Sequence, residues 1–166
     1  MERKFIYGVM FLVSFFMFSF DVSAATIKEG VYTIQSAIAN KTLDVAGGQT
    51  SNGTNVQLYQ SNGSNAQRWY VKQLDDGYYE ITTMLDNTKS LDVAGGKLVN
   101  GTNVQIYNSN GSDSQKWYFN DAGDGYYYII SKRNGLYVDV AGGKSANGTN
   151  IQMYKGNKSN AQKFKF

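Results

Sequence analysis

The chain has 166 residues, 14% of them aromatic, with no cysteine, no histidine, no proline and a formal charge of +3. That composition excludes a disulfide-stapled scaffold, nucleophilic catalysis by a thiol or a histidine base, and the usual Cys/His zinc centres. Lys and Arg are spread along the chain rather than gathered in one stripe, which argues against a nucleic-acid partner.

Residues 1–25 read as a signal peptide. Glu2-Arg3-Lys4 gives a charged start, and Phe5 to Phe20 is a 16-residue run without charge. Val22-Ser23-Ala24 fits the small-residue cleavage pattern, which places the cut near Ala24-Ala25 and predicts a secreted, extracellular product. The run is shorter than the roughly 20 residues of a membrane span, so no membrane insertion is expected; a retained N-terminal anchor is the alternative. Removing residues 1–25 takes away two charges of each sign and leaves +3. What remains has the size of one domain, with a core that must suffice without crosslinks.

Residues 26–166 repeat one pattern three times, over about 28–75, 76–123 and 124–166. Leu43 to Trp69, Leu91 to Trp117 and Val138 to Phe164 are versions of the same stretch. Asp44, Asp92 and Asp139 mark it at spacings of 48 and 47 residues. A period of that length defines the architecture before any local reading.

Each repeat predicts four short strands. The first opens at Gly30, Gly77 and Gly125 and runs to Ile34, Ile81 and Ile129. The second is Leu43-Asp44-Val45 and its equivalents. Gly47-Gly48 breaks it, and Asn52-Gly53 is a turn. The third is Asn55-Val56-Gln57-Leu58-Tyr59. The fourth starts near Trp69, Trp117 and Phe164 and runs on to Val71, Phe119 and Phe166. No long 3.6-residue period appears, and the one helical turn expected is near Ser64–Gln67. The predicted core is Tyr32, Ile34, Leu43, Val45, Val56, Leu58 and Trp69 with their equivalents. Trp69, Trp117 and Phe164 are read as closing the bottom of each lobe. Asn-Gly-Thr triplets, formally N-glycosylation sequences, read as turn chemistry.

Period-2 alternation puts Asp44, Asn55, Gln57 and Tyr59 on the face away from Leu43, Val45, Val56 and Leu58. A carboxylate accepts hydrogen bonds from neighbouring hydroxyls, an amide both donates and accepts, and a phenol ring gives an apolar platform to the C–H face of a sugar. A capping Asp and a Tyr covering core would look the same in one copy. The set recurs with Asp92, Gln105 and Tyr107, and with Asp139, Gln152 and Tyr154.

Asp, then Gln-x-Tyr thirteen residues on, then Gln67-Arg68-Trp69, Gln115-Lys116-Trp117 and Gln162-Lys163-Phe164, resembles the ricin-B-type lectin domain, a carbohydrate-binding module with QxW repeats. The resemblance covers about residues 28–166. It implies an all-β fold, a β-trefoil of three four-stranded repeats with pseudo-threefold symmetry. Four-stranded propeller blades are the rival, but three of them do not close within one chain. The resemblance implies up to three sugar sites, formed by Asp44, Gln57, Tyr59 and Gln67; by Asp92, Gln105, Tyr107 and Gln115; and by Asp139, Gln152, Tyr154 and Gln162. Gln67, Gln115 and Gln162 are read as bracing a loop, touching sugar, or both. The family pattern has an Asn before that Gln as a ligand contact; here Ala66, Ser114 and Ala161 occupy the position.

The expected partner is a glycan or polysaccharide, galactose-type or xylan-type, with no cofactor and no metal. A monosaccharide of about a dozen heavy atoms at roughly −0.3 kcal/mol each gives a millimolar site, so function would rest on multivalency. Catalysis is not expected: glycoside cleavage needs paired carboxyls about 5–10 Å apart, and no second carboxylate recurs beside Asp44, Asp92 or Asp139. The alternative is a protein-binding module, inhibitor-like or part of a toxin or adhesin complex, because fold alone does not set function.

Overall fold

The computed structural model describes residues 25–166, so the signal peptide expected over 1–25 lies, apart from its last residue, outside the described residues. Among the described residues thirteen strands form one continuous sheet: β1 (Gly30–Tyr32), β2 (Gln35–Ser36), β3 (Thr42–Val45), β4 (Thr54–Tyr59), β5 (Trp69–Gln73), β6 (Tyr79–Thr83), β7 (Lys89–Val93), β8 (Thr102–Asn108), β9 (Trp117–Gly123), β10 (Tyr126–Ser131), β11 (Tyr137–Val140), β12 (Thr149–Tyr154) and β13 (Phe164–Lys165). The extra strand arises because the first strand of the first repeat is split at Thr33–Ile34 into β1 and β2. β1 pairs with β5, while β2 pairs with β13 of the last repeat.

Two closed rings result. The outer strands run β1–β5–β6–β9–β10–β13 and return through β2, forming the barrel. The hairpins β3–β4, β7–β8 and β11–β12 cap it, and their second strands pair in a triangle: Asn55 with Gln105, Gln152 with Asn103, and Asn150 with Gln57. This is the all-β trefoil. Closure leaves few unpaired strand edges, the usual route to aggregation.

Three Asn-Gly turns lock the lobes to one another. Asn52 Oδ1 accepts from the backbone N–H of Asn108 at 2.9 Å, Asn100 Oδ1 from Lys155 at 2.8 Å, and Asn147 Oδ1 from Gln60 at 3.0 Å. Each link joins one lobe to the next, and the third returns to the first.

The core follows the alternation. Val56 and Leu58 are fully buried along β4, and Val104, Ile106, Ile151 and Met153 repeat them. Trp69, Trp117 and Phe164 are buried, and the two indoles donate to the Leu43 and Leu91 carbonyls at 3.2 and 3.3 Å. Each such side chain stabilises the fold by roughly 1.5–3 kcal/mol. Two boundaries differ from expectation. Tyr32 and Tyr127 are only half-buried against the core. β13 ends at Lys165, because Phe166 turns to pack edge-on against Phe119 at a centroid distance of 5.0 Å.

Candidate functional site

The second strand of each repeat ends in a tight 3₁₀ turn, Ala46–Gly48, Ala94–Gly96 or Ala141–Gly143. Both glycines hold positive φ in each lobe, 63° and 62° at Gly47 and Gly48, a region that costs other residues about 1–2 kcal/mol. A second 3₁₀ turn precedes the fourth strand at Asn65–Gln67, Asp113–Gln115 and Asn160–Gln162. Sequence periodicity indicated one helical turn; six are present among the described residues, each too short to carry a period. The two turns of a lobe lie side by side over the β-hairpin and enclose a pocket.

In the first lobe Asp44, Gln57, Tyr59, Gly47, Gly48, Asn62, Ser64 and Ala66 line a cavity of about 340 Å³. In the second, Asp92, Gln105, Tyr107 and Gly95-Gly96 line about 270 Å³. In the third, Asp139, Gln152, Tyr154 and Gly142-Gly143 line about 540 Å³. Pockets for drug-sized ligands span about 300–1,000 Å³, so these are small and suit one or two sugar rings. The expected Asp, Gln-x-Tyr residues are therefore gathered within each lobe.

Two expectations require correction. The acids do not stand on an open face: Asp44, Asp92 and Asp139 are only 5%, 6% and 4% exposed. They form the floor of the pocket because the two turns fold over them. Nor do Gln67, Gln115 and Gln162 reach the pocket. They are buried, and both ends of the side-chain amide are engaged within the protein. Gln67 Nε2 donates to Asp44 Oδ2 at 3.1 Å and to the Gln60 carbonyl at 2.8 Å, while its Oε1 accepts from the Asn62 N–H at 2.8 Å. Gln115 does the same for Asp92, Asn108 and Asn110, and Gln162 for Asp139, Lys155 and Asn157. The bracing role expected among the readings of these glutamines is present in all three lobes.

The other carboxylate oxygen accepts from the pocket glutamine. Gln57 to Asp44, Gln105 to Asp92 and Gln152 to Asp139 are each 2.9 Å. A carboxylate has about four lone-pair directions, so each acid keeps acceptor capacity toward the cavity. Burial pushes the Asp92 and Asp139 carboxyls above their ordinary value, against the opposing pull of the glutamine hydrogen bonds.

Asn55, Asn103 and Asn150 share the strand face of Gln57 but do not line the cavities; Asn150 Nδ2 instead donates to Asn103 Oδ1 across lobes at 2.9 Å. The rim contains residues the sequence reading passed over. Asn62, Asn110 and Asn157 each accept through Oδ1 from the N–H two residues on, at Ser64, Ser112 and Ser159, all at 2.9 Å. The repeated Asn-x-Ser at one offset was the available signal. A neighbouring lobe also contributes: Leu85 walls the first cavity and Ile38 the third. No pattern within one repeat points to these.

Fold and site together define a trefoil with one polar, aromatic-walled pocket per lobe. The model of the ricin-type beta-trefoil lectin domain-like family matches residues 17–107 and 85–154, and the chain belongs to that family, a carbohydrate-binding lectin fold. It is similar to the designed threefold-symmetric protein ThreeFoil at 33% identity and a TM-score of 0.80, covering 82% of this chain and 97% of that one. It is also similar to an exo-β-1,3-galactanase from Clostridium thermocellum, at 32% identity and a TM-score of 0.78, over 81% of this chain and 29% of that one. Flavastacin from Elizabethkingia meningoseptica is 33% identical over 69 residues, which are 41% of this chain and 16% of flavastacin. The chain thus spans only a minor part of these two larger proteins.

Proposed function

We propose that this protein is a secreted lectin that binds glycans or polysaccharide through three shallow pockets, by multivalent recognition and without catalysis. The carrying observation is that all three lobes hold an Asp fixed by two glutamines at the floor of a cavity whose wall is a tyrosine. The Asp accepts from sugar hydroxyls, the pocket glutamine completes the polar set, and the ring of Tyr59, Tyr107 or Tyr154 stacks on the sugar face. Ala66, Ser114 and Ala161 withdraw one amide contact, which favours weak individual sites and reliance on several at once. The galactanase relative supports a galactose-type polymer as the first target to test. The charged start, uncharged apolar run and small-residue Val22-Ser23-Ala24 of the sequence support export.

Replacing Tyr59, Tyr107 and Tyr154 together by Ala tests the reading, since these rings wall the cavities without holding the core. Retention on galactose-type and xylan resins should vanish while circular dichroism is unchanged. Undiminished retention would place the site elsewhere. A protein partner is the second reading, favoured by Leu98 and Val99, which are 61% and 62% exposed where the other lobes have Thr50-Ser51 and Ser145-Ala146.

A further inference from the structure

The three pockets share their floor but not their outer wall. In each lobe a hydroxyl residue at the end of a barrel strand caps the N–H two residues on: Ser36 Oγ accepts from Ile38 at 3.0 Å, Thr83 Oγ1 from Leu85 at 3.2 Å, and Ser131 Oγ from Arg133 at 3.1 Å. These capped positions are structurally equivalent. Ile38 and Leu85 wall the third and first cavities. The residue standing by the second cavity is therefore an arginine.

Arg133 is fixed there. Its Nε donates to the carbonyl of Gly96 at 2.9 Å, and Asn134 Nδ2 donates to the carbonyl of Lys97 at 3.1 Å. Gly96 lines the cavity with Ser114, and a Cβ placed on Gly96 would meet Ser114 Oγ at 3.0 Å and Arg133 Nε at 3.2 Å. The guanidinium and the hydroxyl thus converge on one glycine of the pocket wall. The nearby acid Asp113 is paired with Lys132 at 3.1 Å, and among the described residues Arg133 has no carboxylate partner. Arg133 is an exposed residue beside that wall, and among the described residues its Nε is the guanidinium nitrogen engaged by the protein. Guanidinium presents a planar fork that matches a carboxylate at two points.

We infer that the second-lobe pocket is selective for a saccharide bearing a carboxylate, with Arg133 as the residue that sets the choice and Ser114 assisting, while the first and third pockets take neutral sugars against Leu85 and Ile38. This rests on the lectin reading above and deepens it. Asp92 binds hydroxyls at the floor of the same pocket, and the acid group of the sugar points outward to Arg133. A rim-exposed charge pair of this kind is worth up to about fivefold in affinity and weakens with salt.

The test is an array of glycans in matched pairs, a hexuronate oligomer and a sialylated glycan each beside its neutral counterpart, probed with the native protein, R133L and L85R. The native protein should favour the acidic members by about two- to fivefold at low salt. R133L, which installs the residue found at position 85, should bring acidic and neutral members level. L85R should raise acidic binding by creating a second such pocket. Which acidic series is favoured identifies the source of the carboxylate. Binding of neutral glycans with no acidic preference, or an acidic preference unchanged in R133L, overturns the selectivity and leaves the lectin reading intact. Absence of binding to every glycan overturns both.

Discussion

Gln67 and Asp44 are joined at 3.1 Å, and that bond ties the turn before the fourth strand of the lobe to the floor of its pocket. The same amide reaches the Gln60 carbonyl and the Asn62 N–H, so one buried side chain holds the acid, the end of a strand and the rim loop. The tryptophan two residues on is the neighbouring anchor in the core. The Gln-x-Trp pattern is therefore a fold device that also presets the site.

Gln67→Ala should show this. It leaves the Asp44 oxygen with one partner fewer and strips the Gln60 carbonyl and the Asn62 N–H of theirs. Unsatisfied buried groups cost about 1–3 kcal/mol each, so the urea midpoint should fall by more than a typical surface substitution allows. Sugar retention at the first pocket should weaken with it. An unchanged midpoint would show that water replaces the bridge at no cost.

Acid should separate binding from stability. The folded Asp92 and Asp139 carboxyls titrate above the ordinary value of 3.8, so protonation favours the folded state. Their contribution to stability is full below that ordinary value and is lost as pH rises through the raised one. Sugar binding runs the other way, because a protonated acid loses acceptor capacity. Retention by the second and third pockets should thus decline as pH falls through the raised value, while these two groups favour the fold. Asp76, held low by its hydrogen bond from Lys116, opposes them: its stabilisation is present above 3.8 and is lost as pH falls through its lowered value. Glycan retention and thermal melts across this range should show binding failing first.

Gly96→Ala should remove the second pocket. It forces a left-handed backbone on a residue with a side chain, and its Cβ presses on Ser114 and Arg133. Gly48→Ala meets open space and should carry only the backbone cost of about 1–2 kcal/mol. Thermal melts should therefore rank the two, with G96A the lower.

Removing the lobe-to-lobe links is a further check. Asn147→Ala withdraws the acceptor of the Gln60 N–H and should cost about 1 kcal/mol, with N52A and N100A similar. Effects that add across the three would mark independent bonds; losses exceeding the sum would mark a cooperative ring.

Much of this was legible in the chain. Period-2 alternation located Val56, Leu58 and their equivalents, and the recurrence of Asp, Gln-x-Tyr located the three pockets. Burial of the acids was not, because alternation assigns a face and says nothing of what folds over it. The Ala-Gly-Gly turn that covers Asp44 is three residues long and has no period to read. The split of the first strand was hidden as well, since β2 is defined by a partner, β13, more than a hundred residues away. Ile38, Leu85 and Arg133 lie outside the repeated motif, and only the capped backbone shows them to be counterparts.

The three asparagine links form a circle with no first member, since Asn147 reaches back to Gln60 as Asn52 reaches forward to Asn108. Cutting the polypeptide between two lobes and splicing its old ends would keep every link. The links do not depend on the sequential order of the lobes, and circular permutants should fold with their pocket walls intact.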